Sequence, residues 1–348
     1  MSRRAPYKLG KLKYSHVTQG IQIALLIVLI SSFIFYTIAG FDGYKILINA
    51  GVALVLSFII EVLFLRSRGR WVSFMDCYVK ENPLMIPLLI VMLLPLHAPL
   101  YVVIVATGMA VWVGKLIYGG YGYSIFHPAI VGVLFAYLSF KTQLATPEGI
   151  SYPIELLKQA TGVNEIAMLS QMDLFIGGTY YGVSVGTASG IVLVALMLVL
   201  TLVKIIDWRL SFTFLATVAG ITYIMGGSYY AMEHMLSGMV LFAALFLVTD
   251  PVTSPTSRET KIVFAAIVGL LTVMIRVLGS NVEGVLFAVL LGNLFTPYIN
   301  RTTRRSTKVS LVKALIFVAI VIVAGGYVIG MINAPDVVEE LVNVGVMF

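Results

Sequence analysis

Three polar segments interrupt an otherwise apolar chain, and their residue types suit them to chemistry. The first is Gly119-Gly120-Tyr121-Gly122-Tyr123-Ser124-Ile125-Phe126-His127-Pro128-Ala129. Glycines let a backbone approach a flat ligand, and Pro128 suits the first turn of a following helix. The same composition also serves a tight turn between packed helices. The second is Thr249-Asp250-Pro251-Val252-Thr253-Ser254-Pro255-Thr256-Ser257, where Asp250 can cap a helical turn or bind a cation or a ligand amide. The third runs from Arg276 to Gly284; Arg276 either pairs with Glu283 across a turn or snorkels to a membrane interface. Glu61, near Arg66, reads as a helix-end pair with no further role. Metal chemistry has little to work with. His16, His97, His127 and His234 are scattered, and the single cysteine, Cys77, excludes an intrachain disulfide and any cysteine-ligated cluster built from this chain alone.

The elements that must position these segments follow from composition. Of 348 residues, 59% are hydrophobic and 11% charged, less than half the charge of an ordinary soluble domain, and mean hydropathy is +0.99. A water-soluble fold is excluded. Apolar segments at about 21–40, 44–65, 83–97, 99–117, 128–140, 189–206, 210–228, 234–250, 261–278, 282–299 and 311–332 are continuous, so they predict membrane helices. The segments 83–97 and 128–140 are short, as half-inserted or broken helices beside binding sites are. With the N-terminus cytoplasmic and strict alternation, 19 of the 23 basic residues fall inside, a strong positive-inside bias. The net charge of +7 therefore reflects topology, and no nucleic-acid partner is expected. The polar stretch from Lys141 to about Ala188 then lies outside, and its length suits a functional loop.

The stretch Gly114–Gly132, GKLIYGGYGYSIFHPAIVG, resembles the GK-x-x-FGGLG-x-N-x-FNPA-x-VG signature of the RnfD/NqrB family. Leu245–Arg301 is similar to that family's TDPVT…G…IR…GG-x-x-EG-x-FA-x-LL-x-N…P-x-ID segment, and Met172–Gly178 and Ile206–Leu215 resemble its middle pieces. The ordered matches span about 83–301. The resemblance implies an all-α polytopic membrane protein with a ten-helix core of two five-helix repeats, similar to urea transporters; one extra C-terminal helix follows. The expected divisions are a first membrane repeat (1–140), an outer loop (141–188), a second repeat (189–301), and an extra anchor helix with its tail (302–348). It further implies a flavin-bearing, multi-pass subunit in a prokaryotic cell membrane. Such a subunit passes electrons in an Rnf- or Nqr-like complex with other membrane and flavoprotein subunits, coupled to Na⁺ or H⁺ movement. On this reading Gly119, Gly120, Gly122, His127, Pro128, Asp250 and Thr253 hold a non-covalent riboflavin or FMN.

The family also carries an FMN joined to an outer-loop threonine by a phosphodiester. Here the best-flanked register places Tyr152 at that position, and Thr146 and Thr161 are the two rival attachment sites. Loss of the covalent FMN is the expectation. His127 stands where the family has asparagine, and no dinucleotide fingerprint marks an NADH site. A transporter or channel of the same fold, moving a small solute or a flavin without redox chemistry, is the second reading.

Overall fold

A computed structural model describes residues 14–69, 82–145, 175–176, 184–278, 284–305 and 311–332. Among these residues the chain is helical, with no strand. The first pair, α1 (Tyr14–Ile38) and α2 (Tyr44–Ser67), are long and apolar enough to cross a bilayer. Helix α2 stops at a basic end, where Arg68 N–H bonds back to Phe64 and Gly69, at φ +62°, donates to Arg66. The next, α3 (Met85–Leu93), has nine residues, all buried; it ends where Pro95 follows and cannot span hydrocarbon alone.

After Pro99, α4 (Leu100–Val111) runs into a five-residue π turn, Trp112–Leu116, and α5 (Pro128–Ser139) begins on its proline. These two helices touch closely: a side chain at Gly132 would collide with the Ala106 carbonyl. In the second half, α6 (Gly190–Leu202) is followed by α7 (Trp208–Leu236), capped by Asp207, which accepts from Arg209 N–H at 3.1 Å. Next comes α8 (Val240–Phe242), which passes into a second π turn at Ala243–Leu247. The last three helices are α9 (Arg258–Leu278), α10 (Gly284–Arg305) and α11 (Leu311–Ile332).

Two of the expected spans are redrawn. The segment read as 210–228 continues to Leu236 through a break at Gly226–Gly227, and the segment read as 234–250 holds only the short α8 and its π turn. Residues Ala243–Leu247 are all buried, so hydropathy alone made a half-helix look like a crossing.

Contacts sort the loops into two ends. One end joins Gln22 to Asn82 (3.1 Å), Ser57 to the Pro83 carbonyl (3.2 Å), and Lys261 to Asp207 (2.8 Å). The other joins Ser32 to the Val185 carbonyl (2.8 Å), Val185 N–H to Leu94 (3.0 Å), and Arg276 to the start of the α7–α8 connection. Isoleucines such as Ile23, Ile48, Ile59 and Ile320 face outward, as a lipid-facing surface requires. The extra helix α11 lies along α7 and α9: a side chain at Gly220 would meet Ile322, and one at Gly325 would meet Leu270.

Candidate functional site

The glycine-rich segment folds as its composition requires. Gly119, Gly120 and Gly122 sit at φ +113°, +105° and +93°, a backbone region that side-chain-bearing residues rarely adopt. Gly119 N–H closes on Leu116 at 3.0 Å, and Gly120 N–H on the Lys115 carbonyl at 3.3 Å, so the turn grows directly out of the π turn of α4. At the base, a side chain at Gly114 would press on Pro128 at 2.8 Å, which holds both ends of the loop together.

Beneath the turn lies a fully buried ion pair. Lys115 Nζ is 2.5 Å from Glu61 Oε1, and both side chains are 0% exposed. Glu61 therefore pairs across the bundle, and the helix-end reading with Arg66 is corrected. Lys115 Nζ also lies 5.6 Å from the centre of the Tyr121 ring, and the Tyr121 hydroxyl reaches Met85 Sδ at 3.4 Å.

The second polar segment meets this turn. Asp250 Oδ2 accepts from the Thr253 backbone N–H (2.9 Å) and the Thr253 hydroxyl (2.8 Å), which fixes the carboxylate after α8. Between the segments is a pocket. Its walls are Met85, Ile86 and Leu89 of α3, then Tyr121, Gly122, Ser124, His127 and Pro128 of the turn, and Asp250 with Val252. It is a narrow cleft with a cavity of about 10 Å³, roughly room for one water molecule, so a larger ligand needs its walls to part. His127 is 2% exposed, and neither ring nitrogen has a hydrogen-bond partner. Burial pushes its pKa down, against a smaller opposing pull from the Asp250 charge, so the ring is neutral and presents one donor and one acceptor.

Of the residues singled out from sequence, Gly122, His127, Pro128 and Asp250 line this pocket. Gly119 and Gly120 shape the turn behind it, and Thr253 holds Asp250. Thr146, Thr161, Tyr152 and Glu283 lie outside the described residues. Arg276 is elsewhere: it donates to the His234 carbonyl at 2.8 Å and to Ser237 at 3.0 Å. Among the described residues no group of three His, Cys, Asp or Glu forms a metal site.

Relatives of known family decide what kind of protein carries this arrangement. The profile of the NQR2, RnfD, RnfE family matches residues 2–308. The chain belongs to that family. It is a multi-pass membrane protein, with five helices among the described residues long and apolar enough to cross a bilayer. It is similar to RnfD of Haemophilus influenzae strain PittEE, a subunit of an ion-translocating oxidoreductase complex, with 27% identity over 81% of this chain and 92% of the relative. The corresponding subunit from Shewanella denitrificans is 29% identical, over 84% of this chain and 95% of its own length. The one from Escherichia fergusonii is 27% identical, over 86% and 97%.

Within the family signature, two asparagine positions are occupied here by Ser124 and His127, and both residues line the pocket. Ser124 carried a recognisable signal in the motif; Met85, Ile86, Leu89 and Val252 did not, because they are apolar residues in an apolar chain.

Proposed function

We propose that this chain is a membrane subunit of an Rnf- or Nqr-like ion-translocating oxidoreductase complex, and that it passes electrons through a non-covalent riboflavin or FMN. The observation that carries this reading is the pocket itself. It unites both family-signature segments, Gly119–Pro128 and Thr249–Thr256, with the buried start of α3. Its chemistry fits a flavin: an apolar wall from Met85, Ile86 and Leu89 for the ring faces, and polar atoms from Ser124, His127 and Asp250 for the ring edge. The two His127 ring nitrogens, buried without partners, are the groups that a ligand would satisfy.

Gly122, at φ +93°, brings backbone into the pocket wall as a further edge contact. Entry of a three-ring system requires the Tyr121–Met85 contact across the pocket to part. A flavin held here supplies one- and two-electron transfer; the protein's own part is to bind it, orient it and keep water from it. Its electrons come from and go to other membrane and flavoprotein subunits, and redox change is coupled to Na⁺ or H⁺ movement across a prokaryotic cell membrane.

Two finer features belong to the same reading. The ten-helix core consists of two five-helix repeats. In support, α3 is followed by Pro95-x-x-x-Pro99 and α8 by Pro251-x-x-x-Pro255, and each pair leads into the next long helix. The outer loop carries no covalent FMN, since the best-flanked register offers Tyr152 where a threonine is needed.

A visible spectrum of the purified chain tests the central claim. Absorbance near 450 nm is expected, and Gly120→Leu should abolish it while the protein still elutes as a single folded species. A colourless wild-type chain that is purified folded would favour the transporter reading instead.

A further inference from the structure

The end of the bundle opposite the pocket holds a second buried polar cluster, independent of the flavin reading. Helix α7 is broken at Gly226–Gly227, where Gly227 adopts φ +77° and ψ −168°. Past the break it resumes and carries Tyr229, Tyr230, Glu233 and His234. Interrupted helices in membrane proteins commonly mark ion sites.

Glu233 is 0% exposed, and neither carboxyl oxygen has a hydrogen-bond partner of good geometry, although the Tyr229 side chain lies beside it. Arg276 of α9, 1% exposed, reaches the same turn of the chain, but its guanidinium is directed at the backbone. It donates to the His234 carbonyl at 2.8 Å, the Ser237 carbonyl at 3.0 Å and the Ser237 hydroxyl at 3.2 Å. Past the break, the other titratable groups of α7 are Tyr230 and His234, whose rings lie 4.4 Å apart. Residues Val240–Leu247 carry no titratable group, and the second half of α11 carries only Tyr327, which is exposed.

The contrast with Glu61 is informative. Both glutamates are 0% exposed, yet Glu61 has Lys115 at 2.5 Å, whereas no ion pair is formed by Glu233 among the described residues. A buried carboxylate with a cation against it stays ionised. One without a direct partner is strongly disfavoured as an anion out of water, while its neutral acid is tolerated.

We propose that Glu233 is a proton-exchange site at this end of the membrane bundle, with Tyr229 positioning it. The step is –COO⁻ + H⁺ ⇌ –COOH: an O–H bond forms or breaks, and no electrons move. The proton comes from, and returns to, the aqueous phase at that face. A proton suits the site better than a sodium ion, because Arg276 already occupies the His234 and Ser237 carbonyls that would complete a metal shell.

The test uses the full chain in lipid nanodiscs. Infrared difference spectra between wild type and Glu233→Gln are recorded at about pH 6 and about pH 9, with potassium or sodium as the salt. The expected result is a protonated-carboxyl C=O stretch that is roughly ten-fold stronger at the lower pH and indifferent to the salt. Dicyclohexylcarbodiimide, which attacks protonated carboxyls in apolar surroundings, should label Glu233 with the same pH dependence and leave Glu61 unlabelled. Three results would overturn the proposal. Absence of the band at both pH values means a permanently ionised carboxylate. An equal band at both means a structural acid that never exchanges. Loss of the band with sodium at the lower pH means a metal-cation site. The Glu233→Gln chain must elute as folded protein for the subtraction, and Glu233→Asp, which restores the carboxyl, should restore a titrating band.

Discussion

Single residues account for much of the pocket end. The Lys115–Glu61 pair is wholly buried, so each charge relies on the other rather than on water. Removing one member strands its partner: Lys115→Met should destabilise the protein by roughly 3–5 kcal/mol. The double variant Glu61→Met/Lys115→Met should regain most of that loss, as chemical unfolding of the solubilised protein would register. A double variant no better than the single would mean that Lys115 acts through Tyr121 rather than through Glu61. Some of this end was legible beforehand. Gly119, Gly120 and Gly122 were readable as a turn because only glycine takes their backbone angles at no cost, and His127 and Asp250 stood out as polar residues in an apolar chain. The Glu61–Lys115 partnership was not legible: it joins residues 54 apart, and local spacing offered Glu61 a nearer arginine.

At the scale of elements, the helices are joined by a few polar clamps and many small-residue contacts. Asp207 is such a clamp: it caps α7 and takes Lys261 of α9 at 2.8 Å. Burial alone would raise its pKa, but the Lys261 hydrogen bond and charge, with Arg209, outweigh that and hold it below the usual carboxylate range. A depressed pKa contributes stability above the unfolded-state value of about 3.9, and that contribution is lost as pH falls through the lower folded-state value. Asp207→Asn should therefore lower the melting temperature at pH near 7, and the gap to wild type should close below about pH 3. A gap that persists in acid would assign the effect to helix capping alone.

Packing at Gly132 is less forgiving. Gly132→Leu should separate α4 from α5 and abolish the folded species on fluorescence-detected size exclusion, since the Ala106 carbonyl has no room to retreat. By contrast, Gly326→Leu, which displaces Ile224, should loosen α11 and leave flavin absorbance intact. Flavin loss in that variant would show that α11 supports the pocket.

For the molecule as a whole, the charge pattern and the contact pattern agree on how the ends are grouped. The basic residues Arg66, Arg68, Arg209, Arg258 and Lys261 gather at the pocket end, while Lys45, Lys141 and Arg276 lie at the other. On the topology proposed from the positive-inside bias, the pocket faces the cytoplasm. Reporter tags at the N-terminus should read as cytoplasmic, and tags within 141–188 or after residue 333 as external. A cytoplasmic reading after residue 333 would require an even number of crossings, and the short α3 and α8 are where the count would fail.

What the sequence determined by itself is the solvent of the fold, its helical class, its family and the segments that carry polar chemistry. These depend on local composition and on ordered motifs, which need no partner to be read. Tertiary structure alone decided that α8 and its π turn form a buried half-helix, that Met85, Ile86 and Leu89 face His127 and Asp250, and that Glu61 meets Lys115. The physical reason is common to all three. In a chain where nearly every helix is apolar on every side, periodicity no longer distinguishes a core face from a lipid face. Which residues meet is then set by small-residue contacts and buried charges between segments distant in sequence.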